Sequence, residues 1–174
     1  MITQRVLIAE RDPYTQQFVK RVLCDLQLQL AGSGEGVCFT TECVSTDADA
    51  VRRLQLDPPD MVVLEHWAPG LNGVEILKSC RDYSHNTTAI VAATRPSIPA
   101  AVEAAKLGAF EFLAKPLTEQ RLREVVTEAT AQQLGDVVSL DCPSGDATAN
   151  TVSFLSRIPA ALAQLATTAV SLHW

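Results

Sequence analysis

No stretch of this 174-residue chain approaches the roughly 20 consecutive apolar residues that a membrane-spanning helix requires. Its first residues, Met1-Ile2-Thr3-Gln4-Arg5, run straight into an apolar segment. They offer no basic stretch, long apolar core or small-residue cleavage site, so no signal peptide is expected. There is no Cys-x-x-Cys pair: the five cysteines are Cys24, Cys38, Cys43, Cys80 and Cys142, an odd number. Reduced thiols in a cytoplasmic protein are the simplest expectation. Basic excess is absent too, with a net charge of -6 and no block of like charges, which argues against a nucleic-acid-binding face. Gly32-Ser33-Gly34-Glu35-Gly36 lacks the following Lys-Ser/Thr of a phosphate-cradling loop and reads as a surface loop. What remains, 47% apolar and 20% charged residues, is an ordinary globular balance.

The positive signals are short apolar runs alternating with helical periodicity. Val6-Leu7-Ile8-Ala9, Met61-Val62-Val63-Leu64 and Ala89-Ile90-Val91-Ala92-Ala93 are continuous, as strands buried on both faces must be. Residues 37–44 and 110–114 supply two more strands. Asp12 before Pro13 caps a first helix over 13–26, with Phe18, Val22, Leu23 and Leu26 at helical spacing. Leu26-Gln27-Leu28-Gln29-Leu30 alternates like a strand while continuing that helix, so its register stays open. Ser45 or Thr46 caps a second helix, broken by Pro58-Pro59, and a third begins near Val74. Residues 99–107 form an alanine-rich fourth helix stopped by Gly108, and Thr118 caps a fifth through Leu134. Five strands alternating with five helices predict an α/β fold, a doubly wound parallel sheet with helices on both faces. Ligand chemistry in such sheets sits beyond the carboxyl ends of the strands, where Glu10, Glu65, Ala93, Thr94 and Lys115 fall.

Two segments then carry a resemblance. Residues 59–73 place Glu65, Pro69 and Gly73 where response-regulator receiver domains have the phosphoacceptor Asp, a Pro and a Gly. Gly108-Ala109-Phe110-Glu111-Phe112-Leu113-Ala114-Lys115-Pro116 matches that family nearly throughout. The chain resembles a receiver domain of two-component signalling over about residues 5–133. The resemblance implies a flavodoxin-like five-stranded sheet of order 2-1-3-4-5 and a non-enzymatic signalling module. It also implies a site: an acidic pair for Mg²⁺, a nucleophilic Asp, a Ser or Thr for the phosphoryl oxygen, a Lys, and an aromatic that changes rotamer. The matching positions hold Glu10-Arg11, Glu65, Ala93 (with Thr94 one residue on), Lys115 and Phe112.

These substitutions disfavour the family chemistry. Mg²⁺ needs oxygen ligands in near-octahedral array, and Arg11 removes one carboxylate and adds a fixed cation. No cofactor is therefore expected; Glu10 and Glu65 are the weak alternative as metal ligands. Without the metal, phosphoryl transfer loses its main charge stabiliser. Glu65, longer by a methylene, reaches toward where phosphoryl oxygens would sit, with Lys115 and Arg11 as partners. Two readings stand side by side: an evolved imitation of the phosphorylated state, or an ion pair that merely supports the sheet edge. Arg11 either supplies the metal's charge or turns to solvent. Phe112 reads as a core residue more than a switch, Trp67 as a cover over the pocket, and His66 as a solvated side chain.

Contacts with protein partners or a second copy are expected on the face of the fourth helix, fifth strand and fifth helix, as in the family, and through the tail. Residues 1–134 are assigned to the receiver-like domain and 135–174 to a linker and apolar helix, with residues 136–140 as a candidate added strand. From 158 to 174 only His173 can carry charge, so that segment should bury a face. Neither membrane nor nucleic acid is expected as partner. The leading reading is a phosphorylation-independent receiver-like module acting through protein contacts. The alternatives are a residual phosphoacceptor at Glu65 and a small-molecule sensor at the altered pocket.

Overall fold

The computed structural model describes residues 1–140 of the chain; the expected apolar helix at 158–174 lies outside them. Five strands form the parallel body of the sheet: β1 Ile2–Ala9, β3 Gly36–Val44, β4 Met61–Glu65, β7 Thr88–Ala93 and β8 Glu111–Ala114. Two more, β2 Leu28–Leu30 and β9 Val137–Ser139, extend one side, and β5 Trp67–Ala68 pairs separately with β6 Leu71–Asn72. The helices are α1 Pro13–Asp25, α2 Asp47–Leu56, α3 Gly73–Tyr83, α4 Ile98–Lys106 and α5 Glu119–Leu134. The main sheet has the order β8-β7-β4-β1-β3-β2-β9. Its parallel strands, counted along the chain, run 2-1-3-4-5, the flavodoxin-like arrangement, and β2 pairs antiparallel with both β3 and β9.

The parallel strands bury both faces, which is why they read as unbroken apolar runs. Alternation splits β1 between two cores: Val6 and Ile8 meet Val22, Leu23, Leu122 and Val126 of α1 and α5. Leu7 and Ala9 turn the other way, to Leu54, Ile76, Leu77 and Ala104 of α2, α3 and α4. Helix starts follow the capping signals. Asp12 accepts from the Thr15 amide at 2.9 Å and the Thr15 hydroxyl at 2.6 Å, and these bonds hold its carboxyl below the ordinary aspartate range. Thr46, rather than Ser45, caps α2, and Thr118 caps α5.

Two stretches differ from the simplest five-strand expectation. The ambiguous 26–30 segment leaves the helix at Asp25 and becomes β2, which turns back on β3 through the glycine-rich loop, with Leu28 opposite Val37. Its period-two leucines decide the matter, since Leu28 fits a sheet core and is 1% exposed. The candidate strand after Gly135 is present as β9, so the sheet continues beyond residue 134: Val137 sits opposite Leu30 and is 9% exposed within the α1–α5 core.

That ladder predicts a difference between two truncations. A chain ending at Leu134 should unfold at lower urea than one ending at Leu140, by about 2 kcal/mol for one buried valine and its strand pairing. Coincident urea midpoints would show that β9 adds nothing.

Candidate functional site

Glu10, Glu65, Ala93, Thr94 and Lys115 each lie at, or one step past, the carboxyl end of a parallel strand, while Arg11 is two steps past β1 and Phe112 lies within β8. Glu10 follows β1, with its amide bonded to the Val44 carbonyl at 3.0 Å. Glu65 ends β4, and the next amide, of His66, bonds the Ala92 carbonyl at 2.7 Å. Ala93 ends β7 and Thr94 follows it. Lys115 follows β8, its amide held by the Ala93 carbonyl at 2.9 Å, and precedes a cis bond to Pro116. Ladder bonds between neighbouring strands thus bring together groups that are up to 105 positions apart in sequence.

At the centre lies the Lys115 ammonium. Its Nζ donates to Glu10 Oε2 and to Glu65 Oε2, and all three side chains are largely removed from water, 13%, 6% and 4% exposed. Burial by itself would push the Lys115 pKa down; hydrogen bonds to Glu10 and Glu65, and their charges, outweigh it and hold the ammonium above the ordinary lysine value. The second Glu10 oxygen accepts from the Asp12 amide at 2.9 Å. Gln16 Nε2 fixes the Glu10 carbonyl at 2.5 Å and contacts Ser45 Oγ at 3.2 Å. Nothing in the residue pattern marked Gln16 for this role. Thr94 approaches Glu65 from the other side, through its amide at 3.4 Å and its hydroxyl at 3.5 Å, long and weak contacts. The hydroxyl facing the acceptor position is therefore that of Thr94, while Ala93 is 1% exposed in the sheet.

Arg11 departs from the expected pairing. Its guanidinium donates to the Pro69 carbonyl and makes no ion pair with Glu10 or Glu65. Lys115 already sits between those carboxylates, and the exposed Arg11 reaches outward to the loop instead. Trp67, expected as a cover, is 64% exposed on the β5–β6 hairpin. His66 turns inward rather than to water: its ring meets Phe112 edge-on, centroids 5.8 Å apart and planes at 72°, and its Nε2 is buried with no hydrogen-bond partner. Phe112 is half-buried against the second core.

Gly73 is dictated by this geometry. A Cβ there would come within 2.4 Å of the Glu65 carbonyl and 2.7 Å of the His66 carbonyl. The helix start at Asn72 can reach the strand end only because residue 73 has no side chain.

The donor set does not suit Mg²⁺. Both carboxylates share one ammonium, the neighbouring position is a cation, and no group of three acidic, histidine or cysteine side chains among the described residues could hold a metal.

The sequence profile of the response regulator receiver domain matches residues 6–127. The chain belongs to that family. Receiver domains are signalling modules that work with other proteins. The regulatory protein LuxO of Vibrio cholerae is 33% identical over 86 residues, 49% of this chain and 19% of LuxO. The transcriptional regulatory protein FixJ of Bradyrhizobium diazoefficiens is 37% identical over 71 residues, 41% of this chain and 35% of FixJ. The match therefore spans about a fifth to a third of those regulators. Against the chemotaxis protein CheY of Thermotoga maritima it covers 73% of this chain and 98% of CheY, at 23% identity. Among solved structures, the signal receiver domain of a LuxO repressor from Vibrio parahaemolyticus superposes with TM-score 0.65 at 23% identity, covering 76% of this chain and 93% of that one. A CheY-like receiver domain from Methanospirillum hungatei gives 0.63 at 18%, covering 75% and 96%. No helix among the described residues is long and apolar enough to cross a membrane.

Two substitutions test the site. Lys115→Met leaves two buried carboxylates unpaired and should cost ~3–5 kcal/mol near neutral pH. A lysine held above its ordinary 10.5 contributes in full below about that pH and loses its contribution as pH rises through the folded value. The gap between wild type and Lys115→Met in urea unfolding should therefore be steady from pH 7 to 9 and narrow above ~10.5. Gly73→Ala should cost about 3 kcal/mol by forcing a Cβ against two carbonyl oxygens; a loss under 1 kcal/mol by the same assay would mean α3 can shift freely.

Proposed function

We propose that this receiver domain works as a phosphorylation-independent signalling module, in which Glu65 supplies a standing carboxylate where receiver domains acquire a phosphoryl group. The observation that carries this reading is the double engagement of Glu65: the Lys115 ammonium on one side, the Thr94 amide and hydroxyl on the other. Those are the partner types the family presents to a phosphorylated aspartate. The likeness is one of position and charge sign, because a carboxylate carries one charge where a phosphoryl group carries nearly two. Output then comes through protein contacts, on the face of α4, β8 and α5. That face carries Ile98, 72% exposed, and small alanine side chains that allow close approach by a partner or a second copy.

The residual phosphoacceptor reading is separated from this one by a direct assay. Intact mass should show no adduct after incubation with acetyl phosphate, with or without Mg²⁺. The double variant Arg11→Asp, Glu65→Asp restores an acidic pair and a shorter acceptor, and should gain a Mg²⁺-dependent adduct. A wild-type adduct that disappears in Glu65→Gln would overturn the proposal.

A further inference from the structure

At the opposite end of the sheet, beneath the amino ends of the strands, lies a second polar cleft of about 740 Å³. Five residue steps along β7, ~17 Å, separate its Thr88 from the Ala93 end of that strand. Two acceptors in its lining stand out. Gln4 is 3% exposed and its Oε1 is buried with no hydrogen-bond partner. Gln133 Oε1, from the last turn of α5, is likewise buried and unpaired. The Gln133 amide cannot be turned round to relieve this: its Nε2 donates to the Asp60 carbonyl at 2.6 Å and the Asn86 carbonyl at 3.2 Å, and meets Thr88 Oγ1 at 2.8 Å. An oxygen in that place would face two carbonyl oxygens.

Native interiors rarely leave such acceptors unpaired, and each one left so calls for an explanation. The charge of the lining narrows it. Asp60 is the one carboxylate there, with one oxygen accepting from the Arg5 amide at 2.7 Å; His85 is the other ionisable side chain, and no lysine or arginine lines the cleft. A site with orphan acceptors, a carboxylate and no lysine or arginine disfavours anions and receives N–H donors. We propose that this cleft binds a small cation bearing several N–H groups, of the ammonium or guanidinium class, with Gln4 and Gln133 accepting from its N–H groups and Asp60 opposing its charge. The volume is of the size usual for small-molecule sites. Binding there is independent of the Glu65 site.

Agmatine, which carries one group of each kind, is the probe, with glutarate as an anionic control of similar length. In a titration of the full chain followed by amide NMR, agmatine should give saturable shifts at Thr88, Phe110 and the Gln4 and Gln133 side chains, with Kd below ~1 mM. Glutarate should give none. Gln4→Met and Asp60→Asn should each weaken agmatine about tenfold, and Glu65→Gln should leave it unchanged. Gln133→Met also breaks the Nε2 bonds, so the first two variants carry the test if it fails to fold. No saturable shift by ~10 mM, equal shifts with glutarate, or full affinity in both Gln4→Met and Asp60→Asn would overturn the site.

Discussion

One ammonium group ties together three strand ends that are distant in sequence. Lys115, after β8, holds Glu10, after β1, and Glu65, at the end of β4, in a space nearly closed to water. Two like charges this near each other would repel strongly in a medium of low polarity, and a shared cation converts that repulsion into attraction. The remaining contacts of the site follow from it. The Asp12 amide and Gln16 fix Glu10, Thr94 approaches Glu65, and Arg11, with no anion left to it, turns to the Pro69 carbonyl. Such a cluster adds less to stability than its number of contacts suggests, since desolvation of three charges offsets much of the Coulomb gain. Its larger effect is on which chemistry remains open.

The parts of the fold that were legible in the chain were those in which local pattern and tertiary environment agree. Val6-Leu7-Ile8-Ala9 and Met61-Val62-Val63-Leu64 are apolar without a break because both faces of those strands are covered. Asp12, Thr46 and Thr118 announced helix starts because a short side-chain oxygen there answers an otherwise unpaired amide. The site was legible for the same reason: residues at the carboxyl ends of parallel strands converge whatever their sequence separation.

What stayed illegible depended on three-dimensional competition. Whether Leu28 continued α1 or began a strand turned on the open edge of β3, and the chain only hints at that edge by alternation. Arg11 and Lys115 were both expected as partners of Glu65. The structure shows that backbone position decides: the Lys115 amide is pinned to Ala93 and its side chain rises between the carboxylates, whereas Arg11 starts at the rim. His66 was read as solvated because no Cys or Ser partner is evident near it in the sequence, yet its carbonyl accepts from the Gly73 amide and its ring lies against Phe112. The unpaired acceptors of Gln4 and Gln133 had no marker at all, since a glutamine in a strand or helix looks the same with or without a partner.

The substitution of Glu for Asp at one strand end bears on more than reactivity. A switch needs an input that distinguishes two states, and its range is limited by the difference in free energy the input supplies. In a receiver of the usual kind that difference arrives with the phosphoryl group. On the function proposed above, the carboxylate that meets Lys115 and Thr94 is built in, so those contacts supply no difference between two states. On that proposal, modulation enters elsewhere, through what docks on the helices. The family's fold is kept whichever way the site is used, with the same strand order for the parallel body, and the proposed reading moves control from a covalent mark to binding.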